Sequence, residues 1–194
     1  NANAELICND HIKYLGVLMD KNLSWKYHVE HVLNKISKTT GIISKLRHFV
    51  PKHTLLNIYK SLIDPYLSYC LVIWGQTSKS NWNDILVLQK RFIHFSNKQE
   101  HTIPLFVATN ILPINLLYFE HVLVLMHDIK NSNAPVNILN LFQSTLDIHS
   151  YNTRSSKLNN FYTKKSKLEI QRRSFSYKYR SFSVQNGGMR YHLS

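Results

Sequence analysis

Six apolar residues, Trp25, Val29, Val32, Ile36, Ile43 and Leu46, recur at roughly 100° per residue, and this stripe constrains the chain more than any other feature. It predicts an amphipathic helix that must bury one face against neighbouring elements. Ser24 is placed to cap its start, where a side-chain oxygen accepts an otherwise orphaned backbone N–H. Thr39-Thr40-Gly41 lowers helix propensity midway, so the segment reads as one bent helix or as two, and Pro51 ends it.

Helical spacing returns from about Thr54, with Leu55, Ile58, Tyr59, Leu62 and Ile63 in register until Asp64-Pro65 imposes a kink or a break. Residues 66–74 are apolar nearly all round and read as central core, stopped by Gly75. Ser80 can cap the next helix, over residues 82–95, with Ile85, Leu88, Phe92 and Phe95 on its apolar face. Pro104 suits a helix's first turn, and Pro113 opens a longer helix through Leu116, Phe119, Leu123, Met126 and Ile129. Residues 131–135 end it, and 136–142 form one more short apolar element. Ahead of all these, residues 5–8 and 12–18 read as two short strands or a strand with a turn, closed by Asp20-Lys21-Asn22. The expected class is therefore mainly α: a short N-terminal β-hairpin, an irregular helical bundle, and a basic, mostly extended C-terminal tail.

Charge separates that tail from the rest. The whole chain carries 24 Lys and Arg against 11 Asp and Glu, a formal charge of +13. Residues 1–150 hold 14 basic and 10 acidic groups (+4), and residues 151–194 hold 10 and 1 (+9). The organisation expected is a strand region over 1–22, a helical domain over 23–150 and a basic tail over 151–194. Such a balance favours polyanionic partners, nucleic acid first. No stretch reaches the roughly 18 uninterrupted apolar residues of a membrane span, and no signal peptide opens the chain, so no membrane partner is expected. Cys8 and Cys70 are the two cysteines, too few for a disulfide framework or a Cys-rich zinc site. An intracellular setting, nucleus or cytoplasm, fits best.

Catalytic signatures are missing. Two-metal polymerases and nucleases gather carboxylates around Mg²⁺, whereas here the nearest acidic pair, Glu5 and Asp10, is five positions apart. Five glycines, with Gly187-Gly188 alone adjacent, cannot build a phosphate loop or a dinucleotide fingerprint. His28 and His31 form an i, i+3 pair with no Glu or Cys pattern to complete a zinc motif, so a surface or core-edge pair is the reading. No catalytic or metal-binding residue and no cofactor is assigned.

Binding chemistry is better represented. Lys35, Lys38 and Lys45 project opposite the apolar stripe of the first long helix, and Lys52 follows just past its end. Such a row suits a phosphate backbone as well as it suits an ordinary solvated face. In the tail, Arg154, Lys157, Lys164, Lys165, Lys167, Arg172, Arg173, Lys178 and Arg180 alternate with Tyr151, Phe161, Tyr162, Phe175, Tyr177 and Tyr179. Cations of this kind neutralise phosphates while rings stack on unpaired bases.

Several short segments taken in order complete the reading: residues 12–17 (Ile-Lys-Tyr-Leu-Gly-Val), 23–28 (Leu-Ser-Trp-Lys-Tyr-His), Lys45-Leu46-Arg47, residues 58–63, Tyr69 with Trp74-Gly75, residues 88–91 and Tyr151-Asn152-Thr153-Arg154. As a set they resemble the region after the catalytic palm in LINE-type, jockey-like non-LTR retrotransposon reverse transcriptases, over roughly residues 5–180. The resemblance implies that Tyr14-Leu15-Gly16 lies in the strand region beside the primer end and that the helices after Trp25 are the thumb. It makes RNA, an RNA/DNA hybrid and the parent polymerase's palm the partners, with Mg²⁺ implied for that palm alone. The Tyr-x-Asp-Asp motif of the family is absent and belongs upstream. After Phe175-Ser176-Tyr177 the family's usual Gly and Trp-Asn continuation is replaced by Lys178-Tyr179-Arg180 and then Gln185-Asn186-Gly187-Gly188, and the last fifteen residues read as degenerate, as in a decayed copy. A stand-alone RNA-binding helical module and a relic without function are the alternatives.

Overall fold

The computed structural model describes residues 10–96, 102–148, 151, 161–162, 165–172, 177 and 179. Its elements are β1 (His11–Tyr14), β2 (Val17–Asp20), α1 (Lys26–Leu46), α2 (Lys52–Leu62), α3 (Asp64–Ser68), α4 (Leu71–Trp74), α5 (Lys79–Ser96), α6 (Thr102–Thr109), α7 (Ile114–Lys130), α8 (Val136–Leu139), α9 (Thr145–Ile148) and α10 (Glu169–Arg172). The class is mainly α behind an N-terminal hairpin. The chain divides into two compact units, Asn1–Phe119 and Glu120–Ser194, and the division falls within α7.

In the first unit the hairpin pairs antiparallel, His11 opposite Asp20 and Tyr14 opposite Val17. Its two-residue turn places Leu15 at φ 45° and Gly16 at φ 84°, the double positive-φ arrangement of a type I′ turn that suits strand twist. Residues 5–8 lie outside the described residues. Asp20 then organises the chain's exit: one carboxylate oxygen accepts from the Asn22 and Ser24 N–H groups (3.3 and 3.1 Å) and the other from the Trp25 N–H (3.0 Å). These bonds hold the turn that precedes α1. Ser24, expected as the cap, stands one residue before it and its hydroxyl accepts from the Lys26 N–H at 3.5 Å, while Trp25, at φ 62°, occupies the cap position without a side-chain cap bond.

α1 is one continuous helix. Thr40 donates to the Ile36 carbonyl at 2.8 Å and Thr39 to that of Lys35 at 3.3 Å, so the hydroxyls bond back along the helix. Trp25, Val29, Val32, Ile36 and Ile43 are buried and Leu46 is half-buried. Each fully buried aliphatic of this kind contributes about 1.5–3 kcal/mol over the exposed state. α1 ends at Leu46, before Pro51, which instead caps α2. Lys52 is thus the first residue of α2, a correction to its placement just past α1.

Around α1 pack β2, α2, α3 and α5, with α6 against α5. Residues 66–74 are not one helix: Tyr69 is extended and Cys70 sits at φ 51°, separating α3 from α4. Leu67, Leu71 and Trp74 are fully buried, whereas Tyr66, Tyr69 and Ile73 are exposed. At Gly75 any Cβ would collide with the Tyr118 ring and the Leu71 carbonyl oxygen, so only glycine fits. α5 starts before Ser80, and the Ser78 hydroxyl takes the Asn81 N–H at 3.3 Å. Buried Gln89 joins three elements: its amide donates to the Tyr59 hydroxyl (2.9 Å) and the Leu112 carbonyl (3.2 Å), and its oxygen accepts from the Ile114 N–H (2.8 Å) at the start of α7.

Along α7 the buried residues are Ile114, Leu117, Val122, Met126 and Ile129, while Leu116, Phe119 and Leu123 are exposed. Of the five residues expected on the stripe, two, Met126 and Ile129, are buried. In the second unit, Ser144 bridges antiparallel to Phe161, the Tyr162 N–H donates to the Gln143 carbonyl at 2.8 Å, and the Phe142 and Phe161 rings meet edge to face at 5.2 Å.

Candidate nucleic-acid interface

A groove of about 550 Å³ opens in the first unit between the hairpin, α1, α2 and α3. The hairpin brings Lys13 of β1 with Leu15 and Gly16 of its turn; α1 brings His28, His31, Val32 and Lys35; α2 and α3 bring Ser61, Leu62, Pro65 and Tyr66, with Tyr69 just beyond. No carboxylate is among its described lining residues. Tyr69 is tied down by its hydroxyl, which donates to the Leu15 carbonyl at 2.7 Å and so joins the turn to the end of α3.

The two histidines differ by environment. His28 is buried, its Nδ1 accepts from the Leu18 N–H at 3.4 Å, and its ring stands edge-on to Trp74 at 5.4 Å. Burial, with a smaller push from His31, lowers its pKa to about 4, so the imidazole is neutral at pH 7 and carries its proton on Nε2. That nitrogen has no hydrogen-bond partner among the described residues. His31 is half-buried and its pKa is lowered by burial, then by the charges of Lys35 and Lys13. Lys13 and Lys35 thus act on the same small volume from the hairpin and from α1, a convergence suited to an anion.

Lys35, Lys38 and Lys45 are exposed on α1 away from its buried stripe, and Lys52 is exposed at the start of α2. With His31 ahead of them, the three α1 lysines follow helical spacing, so they share one solvent face. Tyr14 is exposed on β1, and Gly16 and Lys35 meet at the groove. Of the tail residues, Lys165, Lys167 and Arg172 are exposed, and the Arg172 Nε donates to the Ser166 carbonyl at 2.9 Å. Arg154, Lys157, Lys164 and Arg173 lie outside the described residues. The sequence reading missed Lys13, His31, Tyr66 and Tyr69 as groove residues, although Tyr69 stood among the family motifs. Among the described residues no three His, Cys, Asp or Glu side chains group where a metal ion could sit.

Comparison with known proteins adds the decisive observation. Over 83 residues, 41% of this chain and 9% of the relative, the sequence is 31% identical to the RNA-directed DNA polymerase from mobile element jockey of Drosophila melanogaster. The chain resembles non-LTR retrotransposon polymerases. The jockey polymerase of Drosophila funebris is 27% identical over 96 residues, 47% of this chain and 10% of that protein. A probable RNA-directed DNA polymerase from transposon BS of Drosophila melanogaster is 29% identical over 85 residues, 41% of the chain and 9% of the relative. The matched segments span about a tenth of the length of these polymerases. No family model matches the chain, and no solved structure does. Among the described residues no helix is long and apolar enough to cross a membrane.

Proposed function

We propose that the chain is the template-gripping, thumb-like region of a jockey-type RNA-directed DNA polymerase, holding an RNA/DNA hybrid through its phosphates. The observation that carries this reading is the row of exposed Lys35, Lys38 and Lys45 on the side of α1 away from the buried Val29, Val32 and Ile36, with Lys52 opening α2. A helix anchored by one face and charged on the other holds a duplex backbone at a fixed height without reading its sequence. Residues 1–22 are then the strand region beside the primer end, with Tyr14 and Gly16 at the strand, residues 23–150 the thumb, and residues 151–194 an arm whose Lys and Arg residues, among them Arg154, Lys157, Lys164, Lys165, Lys167, Arg172 and Arg173, add sequence-independent contacts. The palm of the parent polymerase is the protein partner, it supplies the carboxylates and their Mg²⁺, and the complex works inside the cell. No step of polymerisation is assigned to residues of this chain.

Titration of the full chain onto a fluorescein-labelled RNA/DNA hybrid of about 20 base pairs tests the reading. Converting Lys35, Lys38 and Lys45 together to Gln is expected to weaken binding about ten-fold or more, equally for unrelated sequences. Unchanged affinity, or wild-type binding to a neutral polymer as tight as to the hybrid, overturns it.

A further inference from the structure

The lysine row explains contact with a duplex backbone but leaves the groove beneath the β-turn unused. Its volume, about 550 Å³, lies within the roughly 300–1,000 Å³ range of small-ligand sites. Two exposed aromatic rings line it, Tyr66 and Tyr69, and neither has an aromatic partner among the described residues. Tyr69 is held in place through its hydroxyl on the Leu15 carbonyl, so its ring is presented at little further entropy cost. Lys13 and Lys35 act together on His31 at the same groove. His28 also lines the groove, its ring neutral and its unpartnered Nε2 buried.

Cations beside free rings, with no carboxylate among the described lining residues, match a base joined to a phosphate. We propose that this groove holds one unpaired nucleotide, its base against Tyr66 and Tyr69 and its phosphate at Lys13 and Lys35. The inference rests on the nucleic-acid-binding reading above and deepens it: Lys38 and Lys45 of the α1 row contact paired backbone, Lys35 stands where the row meets the groove, and the groove selects a nucleotide outside the pairing. A duplex bearing one unpaired terminal nucleotide then binds more tightly than the blunt duplex of the same length.

The test compares the full chain's affinity for a blunt RNA/DNA hybrid and for the same hybrid with a single unpaired nucleotide, by fluorescence anisotropy at fixed salt. The expected preference is about five-fold or more for the unpaired end. Tyr66→Ala, at an exposed position, removes the preference and leaves blunt-duplex affinity within about two-fold, and Lys13→Gln reduces it in the same selective way. Circular dichroism of both variants confirms that they fold. Adenosine 5′-monophosphate that erases the preference shows a pocket for a free mononucleotide; a preference it cannot displace shows that the unit is held as part of a strand, and either result keeps the site. Equal wild-type affinity for the two hybrids overturns the groove assignment while the gripping function stands. Absence of binding to either hybrid overturns both.

Discussion

Asp20 and His28 show how single side chains set the geometry of the groove. Burial pushes the Asp20 carboxyl up, but backbone N–H groups of Ser24 and Trp25 and the Ser24 side chain hold it below the usual carboxylate range, so the stability it lends is lost only as pH falls through that lowered value. His28 acts in the same sense, for a different reason: burial disfavours its charged form. Its pKa of about 4 in the fold lies below the ordinary value near 6.5, so below pH 6.5 the unfolded chain binds a proton that the folded one refuses. Stability therefore rises with pH between about 4 and 6.5 and levels off above. The full shift corresponds to about 3 kcal/mol, reduced to about 2 kcal/mol for solvent screening at the groove. Urea titrations at pH 4.5 and 7 check this: His28→Phe is expected to flatten the difference, and an unchanged slope places the titration elsewhere. Leu15 makes a separate prediction. Its φ of 45° costs a leucine about 1 kcal/mol that asparagine largely avoids, so Leu15→Asn is expected to raise the urea midpoint while keeping the Tyr69 hydrogen bond to residue 15's carbonyl.

Among the elements, Gln89 on α5 connects α2 to the start of α7. Gln89→Leu removes an acceptor for the buried Ile114 N–H together with two donated bonds, and about 2–3 kcal/mol of stability is expected to go with them; thermal unfolding measures it, and a loss under about 0.5 kcal/mol contradicts the clamp. Much of this architecture was legible in the sequence. The α1 stripe is long and has a single register, so its residues Trp25, Val29, Val32, Ile36 and Ile43 are all buried, as their spacing required. α7 was harder, because Leu116, Leu117, Val122, Leu123, Val124 and Leu125 allow several apolar registers, and packing rather than periodicity chose among them. The break between α3 and α4 had no local signal: Cys70 takes a left-handed conformation without glycine or asparagine to mark it. The candidate site divides the same way. Exposure of Lys35, Lys38 and Lys45 follows from helical spacing alone, whereas the meeting of Lys13, His31 and Tyr69 depends on contacts between distant elements that no local pattern encodes.

For the whole molecule the governing quantity is charge. The chain carries +13 and resembles mobile-element polymerases over two fifths to nearly half of its length, and the gripping role proposed above rests on that charge, with the exposed lysines of α1 as its defined part. Apolar side chains also remain exposed, among them Leu116, Phe119 and Leu123 on α7 and Leu62 and Tyr66 beside the groove. The most direct test of the gripping claim is the salt dependence of hybrid binding by the full chain. A log–log plot of affinity against salt concentration is expected to fall steeply, and to become shallower by about 0.9 for each of Lys35, Lys38 and Lys45 converted to Gln. A slope near zero, or one that the three substitutions leave unchanged, contradicts the account.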